Sequence, residues 1–172
     1  MTWTIEPLTA DHECSGFKCG EKALDTFLCR HALRNQQLGY SNTYVAIRDG
    51  QASGIDGYYC VSMSSVMFDK LPDGLCFDHM PRYPMPAAHM GRLAISSDRQ
   101  RQGLGGLLMI DAMRKMVAAS EVIAARVVEL VALNEHVAGW YTGFGFIPFK
   151  DAPLHLYLPI VTAREIILSA GR

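Results

Sequence analysis

Gln100-Arg101-Gln102-Gly103-Leu104-Gly105-Gly106 is a glycine-rich stretch between two different residue patterns. A β-like segment, His89 to Ile95, precedes it. Apolar residues recur at helical spacing directly after it: Leu104, Leu107, Leu108, Met113, Met116 and Val117. A turn of this kind exposes backbone N–H groups at the positive end of the helix dipole, and the missing side chains let a phosphate approach closely. The stretch therefore predicts a pyrophosphate-binding turn between a strand and a helix.

The spacing within this turn separates it from other phosphate-binding turns. No G-x-x-x-x-G-K-[ST] is present, which excludes a P-loop, and the turn lacks the third glycine and the βαβ start of a dinucleotide fingerprint. Gln100, Gly103 and Gly105 instead match Q/R-x-x-G-x-G, the coenzyme A pyrophosphate loop of the GNAT N-acetyltransferase superfamily. From this turn onward the chain resembles that superfamily.

A second motif follows an apolar, β-branched segment, Arg126 to Ala132. It matches N-x-x-A-x-x-[LF]-Y-x-x-x-G-F, the other signature of the superfamily. Four positions stand in register: Asn134, Tyr141, Gly145 and Phe146. Val137 and Trp140 replace the usual alanine and the usual leucine or phenylalanine, and we expect both side chains to face the core. Two motifs in the correct order are much more specific than one glycine turn.

The resemblance implies the fold and a coenzyme site. The implied fold is α/β, with a mixed, mostly antiparallel central sheet flanked by helices, and the co-substrate is acetyl-CoA. In the superfamily the strand before the turn holds the acetyl and pantetheine groups, and the matching residues are Leu93, Ala94 and Ile95. The turn amides hold the pyrophosphate, and the matching residues are Arg101, Gln102, Gly103, Leu104, Gly105 and Gly106. A tyrosine at the position of Tyr141 points at the sulfur, so we expect Tyr141 to protonate the leaving thiolate.

Two polar residues near the second motif each allow two interpretations. Asn134 is a coenzyme contact or only the N-cap of a short helix through Thr142. Glu129, on the predicted central strand, is a general base or a member of a water chain, or else a carboxylate at the edge of the sheet.

Composition bounds the function. The length of 172 residues predicts one domain over residues 1–172, and the net charge of −1 argues against a large nucleic-acid surface. Any RNA contact must then be a local patch, for which Arg82, Arg92 and Arg99 are the candidates.

An odd number of cysteines, no signal-like N-terminus and no long apolar run predict a cytoplasmic protein without a membrane span. The histidine spacing predicts no metal site.

The remaining pattern predicts alternating strands and helices without a linker. Strands are expected at Thr2–Ile5, Tyr44–Arg48, Gly54–Val61, Ala88–Ile95, Arg126–Ala132, Phe146–Phe149 and His155–Ile160. Helices are expected at Glu21–Gln37, from the glycine turn to Glu121, at Asn134–Thr142 and as a last turn at Ala163–Ala170. Prolines and a glycine in Phe68 to Pro86 predict an irregular surface loop that helps to select the substrate.

Segments in the N-terminal half make the resemblance more specific, from the superfamily to one of its subgroups. The segment Phe17 to Leu28 is similar to the F-x-C-G-x-x-x-L-D-x-F-L start of the acetyltransferase toxins of bacterial type II toxin–antitoxin modules. Gly57 to Ser62 resembles their third strand, and the proline-rich loop entering Gly91 to Ile95 resembles their P-x-P…L-G-R-L-A-V segment. This resemblance implies acetylation of the α-amine of aminoacyl-tRNA, a block of translation, a homodimer and a ribbon-helix-helix antitoxin.

Two other classes of function stay open at this point. A housekeeping acetyltransferase for a small-molecule amine or a protein amine agrees better with the near-neutral charge. A coenzyme-binding regulatory module without activity would use the same glycine turn, but it would not require Tyr141 in register.

Overall fold

The computed structural model describes residues 2–51, 53–76 and 78–171. The strands in these residues are β1 Trp3–Pro7, β2 Asn42–Arg48, β3 Ile55–Val66, β4 Met85–Ile95, β5 Val127–Val131, β6 Ile147–Phe149 and β7 Ala152–Pro159. The α-helices are α1 Lys22–Phe27, α2 Leu33–Gln37, α3 Leu104–Ser120, α4 Glu135–Thr142 and α5 Ile160–Ala170. A π-helical segment, Leu28–Ala32, joins α1 to α2, so the expected first helix is present with an irregular middle.

The strands form one sheet in the order β1-β2-β3-β4-β5-β7-β6. Strand β2 runs antiparallel to β1 and β3, and β7 runs antiparallel to β5 and β6. Strands β4 and β5 run parallel. The predicted α/β class with a mixed, mostly antiparallel sheet is confirmed.

The chain divides into two compact units: Met1–Ser62 with Met90–Ala112 (the first unit), and Met63–His89 with Met113–Arg172 (the second unit). Strands β3 and β4 each contribute residues to both. The single domain expected over residues 1–172 stays a prediction.

The core of the first unit packs the N-terminal helices on β2 and β3. The ring of Phe27 stacks on that of Tyr58 with 6.2 Å between centroids. A Cβ added to Gly57 would lie 3.0 Å from Leu108 Cδ1 and 3.2 Å from the carbonyl oxygen of Ala94. Gly57 therefore allows the start of α3 to pack closely on β3, which fixes the glycine turn that precedes α3.

The core of the second unit includes two residues, Leu75 and Met85, of the segment that was expected to be an irregular surface loop. Its buried residues are Val66, Leu75, Met85, Ala87, Val127, Phe149 and Tyr157. The segment holds two 3-10 turns, Phe68–Lys70 and Asp73–Leu75, and Leu75 is buried. Met85 and Pro86 already belong to β4. Most of the described residues between 68 and 84 are exposed and lie outside α-helices and strands, so the irregular surface loop is confirmed there. Leu75 is the buried exception, and β4 begins earlier than expected, at Met85. Phe77 lies outside the described residues.

Two other expectations are also corrected. The C-terminal helix is eleven residues long and begins at Ile160, because Pro159 ends β7 and the chain turns directly into α5. Trp140 is 38% exposed rather than in the core, and Val137 is only partly buried. The residue of α4 that packs inward beside them is Ala138.

In the described part of the chain, no helix has both the length and the apolar composition needed to cross a membrane.

Candidate active site

The glycine turn has the backbone geometry of an anion site. Arg101 and Gly103 both adopt positive φ angles, 62° and 89°, immediately before α3 begins at Leu104. A non-glycine residue rarely adopts this conformation, and it persists only where the surrounding structure imposes it. Successive turn residues in such conformations direct their N–H groups into a concave, anion-binding surface.

Two glutamine side chains hold this turn. Gln100 Nε2 donates to the carbonyl oxygens of Ile95 at 3.1 Å and of Cys19 at 2.9 Å. Gln102 Nε2 donates to the carbonyl oxygen of Asp98 at 2.9 Å. These bonds anchor both ends of the turn to the carbonyl oxygens of neighbouring segments.

The end of β4 is the second part of the predicted coenzyme site. The parallel pairing of β4 with β5 covers only Ala87–His89 and Val127–Glu129, although β4 continues to Ile95. The backbone groups of Leu93, Ala94 and Ile95 on that side of β4 are therefore not used by the β5 ladder. Backbone donors without a strand partner are the groups that bind an extended ligand along a strand.

Tyr141 lies near the C-terminal end of α4 and is 6% exposed. Asn134 caps this helix, since its side-chain oxygen accepts from the Val137 N–H at 3.0 Å. The Tyr141 ring makes edge contacts with the rings of Trp140 and Phe146. Burial raises the pKa of Tyr141 to about 12, so the phenol is protonated at neutral pH. Among the described residues its hydroxyl has no hydrogen-bond partner, which leaves it available to a ligand.

Glu129 is a buried carboxylate in the second unit, and the interpretation as a carboxylate at the sheet edge is wrong. It lies on β5 between β4 and β7 and is 6% exposed. His89 Nδ1 lies 2.7 Å from Oε1, Ser64 Oγ donates to Oε1 at 2.7 Å, and His155 Nε2 lies 2.5 Å from Oε2. Burial alone would raise the pKa of Glu129, but the hydrogen bonds from His89, Ser64 and His155 lower it to about 2. The carboxylate is therefore ionised at every physiological pH.

The three candidate arginines differ in what they contact. Arg99 lies close to two carboxylates, with Nε 3.4 Å from Asp56 Oδ2 and Nη2 3.4 Å from Asp98 Oδ2. The guanidinium of Arg92 lies 3.8 Å above the ring of Phe27 in the first unit, and Arg92 as a whole residue is exposed. Arg82, in the second unit, is exposed as well.

The structure places the predicted site residues in both units. The first unit holds Leu93 to Ile95, the glycine turn, Arg92 and Arg99. The second unit holds Tyr141, Asn134, Glu129 and Arg82. Sequence reasoning missed the side chains that hydrogen-bond to the Glu129 carboxylate, namely Ser64, His89 and His155. The available signal was one histidine in each of two largely apolar strands, β4 and β7. The described residues contain no group of three or more side chains arranged to hold a metal ion.

Comparison with known proteins agrees with this geometry. No family model matches the chain. The chain is 34% identical over 155 residues to the tRNA-acetylating toxin of Mycobacterium tuberculosis (strain ATCC 25618 / H37Rv), covering 90% of each protein. It is 26% identical over 171 residues to the probable toxin TacT of Sinorhizobium fredii (strain NBRC 101917 / NGR234), covering 95% of this chain and 94% of that protein.

Solved structures show the same likeness. A tyrosine-to-phenylalanine mutant of KacT superimposes with a TM-score of 0.89 at 28% identity, covering 96% of this chain and 99% of that one. AtaT complexed with acetyl-methionyl-tRNAfMet superimposes with a TM-score of 0.87 at 30% identity, covering 96% of this chain and 99% of that one. AtaTR bound with AcCoA superimposes with a TM-score of 0.84 at 31% identity, covering 95% of this chain and 97% of that one.

The sheet and the glycine turn define an acetyl-CoA-dependent N-acetyltransferase of the GNAT class. Within that class the chain belongs to the acetyltransferase toxins of toxin–antitoxin modules. The predictions of the family, of the fold, of N-acetyltransferase activity and of acetyl-CoA as co-substrate are confirmed.

Proposed function

We propose that this protein transfers the acetyl group of acetyl-CoA to the α-amine of aminoacyl-tRNA and so blocks translation. The observation that carries the proposal is the likeness, over 96% of the chain, to AtaT complexed with acetyl-methionyl-tRNAfMet. The relative from M. tuberculosis, named a tRNA-acetylating toxin, is similar over 90% of the chain and supports the same substrate class.

Acetyl-CoA binds along β4 and at the glycine turn in this proposal. The backbone groups of Leu93, Ala94 and Ile95 hold the acetyl and pantetheine groups. The pyrophosphate binds the amides of Arg101, Gln102, Gly103, Leu104, Gly105 and Gly106. The positive φ angles of Arg101 and Gly103 support this assignment, because they direct successive amides at one anion. The role of Asn134 as a coenzyme contact stays a prediction beside its role as a helix cap.

The reaction is an attack of the neutral α-amine on the thioester carbonyl. The C–N bond forms, the C–S bond breaks, the nitrogen loses one proton, and the sulfur gains one. We assign the proton on sulfur to Tyr141, whose hydroxyl is protonated and without a partner in the described structure. Exclusion of water raises the pKa of a thiol as well as that of a phenol, so the buried Tyr141 remains a matched donor.

The nucleic-acid contact is a local patch. Arg92 and Arg82 are the proposed tRNA contacts because both residues are exposed and have no carboxylate partner among the described residues. Arg99, the third candidate, is engaged by Asp56 and Asp98. We therefore propose that Arg99 supports the turn more than it contacts RNA.

Further parts of the proposal concern assembly and location. KacTA bound to DNA, and AtaT bound to the C-terminus of the antitoxin AtaR, are similar to this chain over 98% and 99% of its length. We propose a cognate antitoxin of the ribbon-helix-helix class, a homodimer, and action of residues 1–172 as one domain. The described cysteines form no disulfide, which supports a cytoplasmic location.

The test is an assay with labelled acetyl-CoA and three acceptors: aminoacyl-tRNA, uncharged tRNA and free amino acids. We expect label on aminoacyl-tRNA alone. Label only on the free amino acids would contradict the proposal and support a housekeeping acetyltransferase for small amines. Binding of acetyl-CoA without transfer to any acceptor would support a regulatory module.

A further inference from the structure

The F-x-C-G-x-x-x-L-D-x-F-L motif, residues 17–28, lies beside the glycine turn. Within it Cys19 is bonded to the turn through Gln100 and to α1 through Asp25. We infer that Asp25 is a positioning residue for acetyl-CoA, because it holds the backbone to which the start of the glycine turn is bonded. This inference rests on the acetyl-CoA site of the proposed function and gives the motif a role in that site.

Asp25 fixes one peptide plane, the one between Lys18 and Cys19. Asp25 Oδ1 accepts from the Cys19 N–H at 2.9 Å, and the carbonyl oxygen of Lys18 accepts from the Ser97 N–H at 2.8 Å. The N–H and C=O of a trans peptide point in opposite directions, so the two partners hold this plane from opposite sides. Hydrogen bonds in such a row also polarise one another. The carboxylate on α1 is therefore linked to Ser97, just beyond the end of β4.

The next carbonyl oxygen of the motif is bonded to the turn itself. The carbonyl oxygen of Cys19 accepts from Gln100 Nε2 at 2.9 Å, and the same nitrogen donates to the carbonyl oxygen of Ile95 at 3.1 Å. Gly20 follows with a φ angle of 99°, in the left-handed region that favours glycine, so the chain turns there before α1 begins at Lys22. Gln100 therefore joins the motif to the end of β4.

The link reaches both parts of the proposed coenzyme site. Ile95 is the last residue of β4, which holds the acetyl and pantetheine groups in the proposal. Arg101, next to Gln100, has a φ angle of 62°, which a non-glycine residue keeps only where the surrounding structure imposes it. Hydrogen bonds that fix Gln100 supply part of this constraint. Loss of the Asp25 carboxylate should therefore loosen the pyrophosphate-binding amides without removing any of them.

Other contacts hold α1 on the sheet, and they centre on Tyr58 of β3. The centroid of the Tyr58 ring lies 5.6 Å from that of Phe17 and 6.2 Å from that of Phe27. The Tyr58 hydroxyl donates to the carbonyl oxygen of Leu24 at 2.9 Å. None of these contacts uses the Asp25 carboxylate, so we expect α1 to keep its place when that carboxylate is removed.

The experiment compares Asp25→Ala and Asp25→Asn with the matched control Gln36→Ala. Asparagine keeps a side-chain oxygen that accepts from the Cys19 N–H. Gln36 also bonds to the backbone within the first unit, as Nε2 donates to the Leu8 carbonyl oxygen at 2.9 Å and Oε1 accepts from the Thr43 N–H at 3.0 Å. Neither of these partners belongs to the motif or to the turn. A merely structural role of Asp25 therefore predicts similar effects for Asp25→Ala and Gln36→Ala.

We expect Asp25→Ala to raise the Kd and the KM for acetyl-CoA about five- to tenfold, the effect of about one hydrogen bond. The kcat at saturating acetyl-CoA should stay within about twofold, because Tyr141 is untouched. Asp25→Asn and Gln36→Ala should both keep the Kd within about twofold, although Gln36→Ala should lower the Tm. Titration calorimetry, steady-state kinetics and thermal unfolding give these values. Asp25→Leu, which keeps the volume without an acceptor, provides the same comparison if Asp25→Ala does not fold.

A double-mutant cycle tests the path through Gln100. Gln100→Ala should itself raise the Kd for acetyl-CoA, and adding Asp25→Ala should then raise it by no more than about twofold, because the link is already broken. A full second loss in the double variant would overturn the inference.

The Kd for acetyl-CoA is measured without an acceptor, so it is judged apart from acetyl transfer. A wild type that binds acetyl-CoA and acetylates no aminoacyl-tRNA would contradict the proposed function, while the role of Asp25 is still decided by the Kd of its variants. A wild-type Kd in Asp25→Ala, or equal increases in Asp25→Ala, Asp25→Asn and Gln36→Ala, would overturn that role. A wild type that does not bind acetyl-CoA would overturn both proposals.

Discussion

His89 and Glu129 lie opposite each other where β4 and β5 pair in parallel, with 2.7 Å between Nδ1 of His89 and Oε1 of Glu129. The hydrogen bonds to this carboxylate lower its pKa from an ordinary 4.5 to about 2 in the folded protein. Their contribution to stability is therefore complete above about pH 4.5 and is lost as the pH falls toward 2.

The first prediction is an acid-dependent loss of stability. We expect Glu129 alone to account for about 3 kcal/mol of the decrease in the free energy of unfolding over that pH range. Glu129→Gln should be less stable than the wild type near neutral pH, with the difference narrowing on acidification. Urea denaturation at several pH values measures both effects. Parallel pH curves for the two proteins would contradict the hydrogen bonds described for Glu129.

The second prediction concerns two buried tyrosines. Tyr141→Phe removes a hydroxyl that has no partner in the described structure, so stability should be unchanged or about 1 kcal/mol higher, while kcat falls at least 100-fold. Tyr58→Phe is the matched control, because the Tyr58 hydroxyl donates to the carbonyl oxygen of Leu24 at 2.9 Å. It should cost about 1 kcal/mol and leave kcat near the wild-type value. Thermal unfolding and steady-state kinetics test both, and full activity of Tyr141→Phe would refute the assigned acid.

The third prediction uses two helical glycines with open space around them. A Cβ at Gly106 or at Gly139 meets no atom within 4 Å, and neither glycine has a positive φ. Alanine at either position should therefore stabilise its helix by about 0.5–1 kcal/mol. Only Gly106→Ala should also raise the KM for acetyl-CoA, by roughly tenfold, since its methyl group would occupy the space that the pyrophosphate needs. An unchanged KM for Gly106→Ala would place the pyrophosphate elsewhere.

The fourth prediction separates an arginine that contacts RNA from one that supports the fold. Arg92→Gln should weaken binding of aminoacyl-tRNA and reduce the salt dependence of log K by about one unit of slope. Arg99→Gln should instead cost about 1–3 kcal/mol of stability, because it leaves Asp56 with fewer partners. The salt dependence of tRNA binding and thermal unfolding are the two measurements. The reverse pattern would exchange the roles assigned to these arginines.

Local sequence signals predicted much of the fold and the local structure of the candidate coenzyme site. The glycine turn, the strand before it and the helix after it are set by residues that are neighbours in the chain, and so is the Asn134 cap of α4. The boundaries were less accurate, as in β3, which runs to Val66 instead of ending at Val61. Apolar periodicity does not mark where a ladder stops, since that depends on the neighbouring strand.

The errors share a different cause, which is contact between residues far apart in the chain. The edge position, one of the two interpretations of Glu129, is wrong because its partners come from β3, β4 and β7, and no local pattern pairs them. The contact of Arg99 with Asp56 was not predicted for the same reason, as Asp56 is distant in sequence; its role as an RNA contact stays a prediction. The positive φ of Arg101 also had no sequence signal, because an arginine does not indicate a left-handed backbone.

The most direct test of the central claim is mass spectrometry of the 3′-terminal aminoacyl-adenosine, released by nuclease from aminoacyl-tRNA after incubation with acetyl-CoA and the purified protein. The account predicts the mass of one added acetyl group, located on the α-amine, with the wild type and its near absence with Tyr141→Phe. An unmodified aminoacyl-adenosine after incubation with an acetyl-CoA-binding wild type would contradict it.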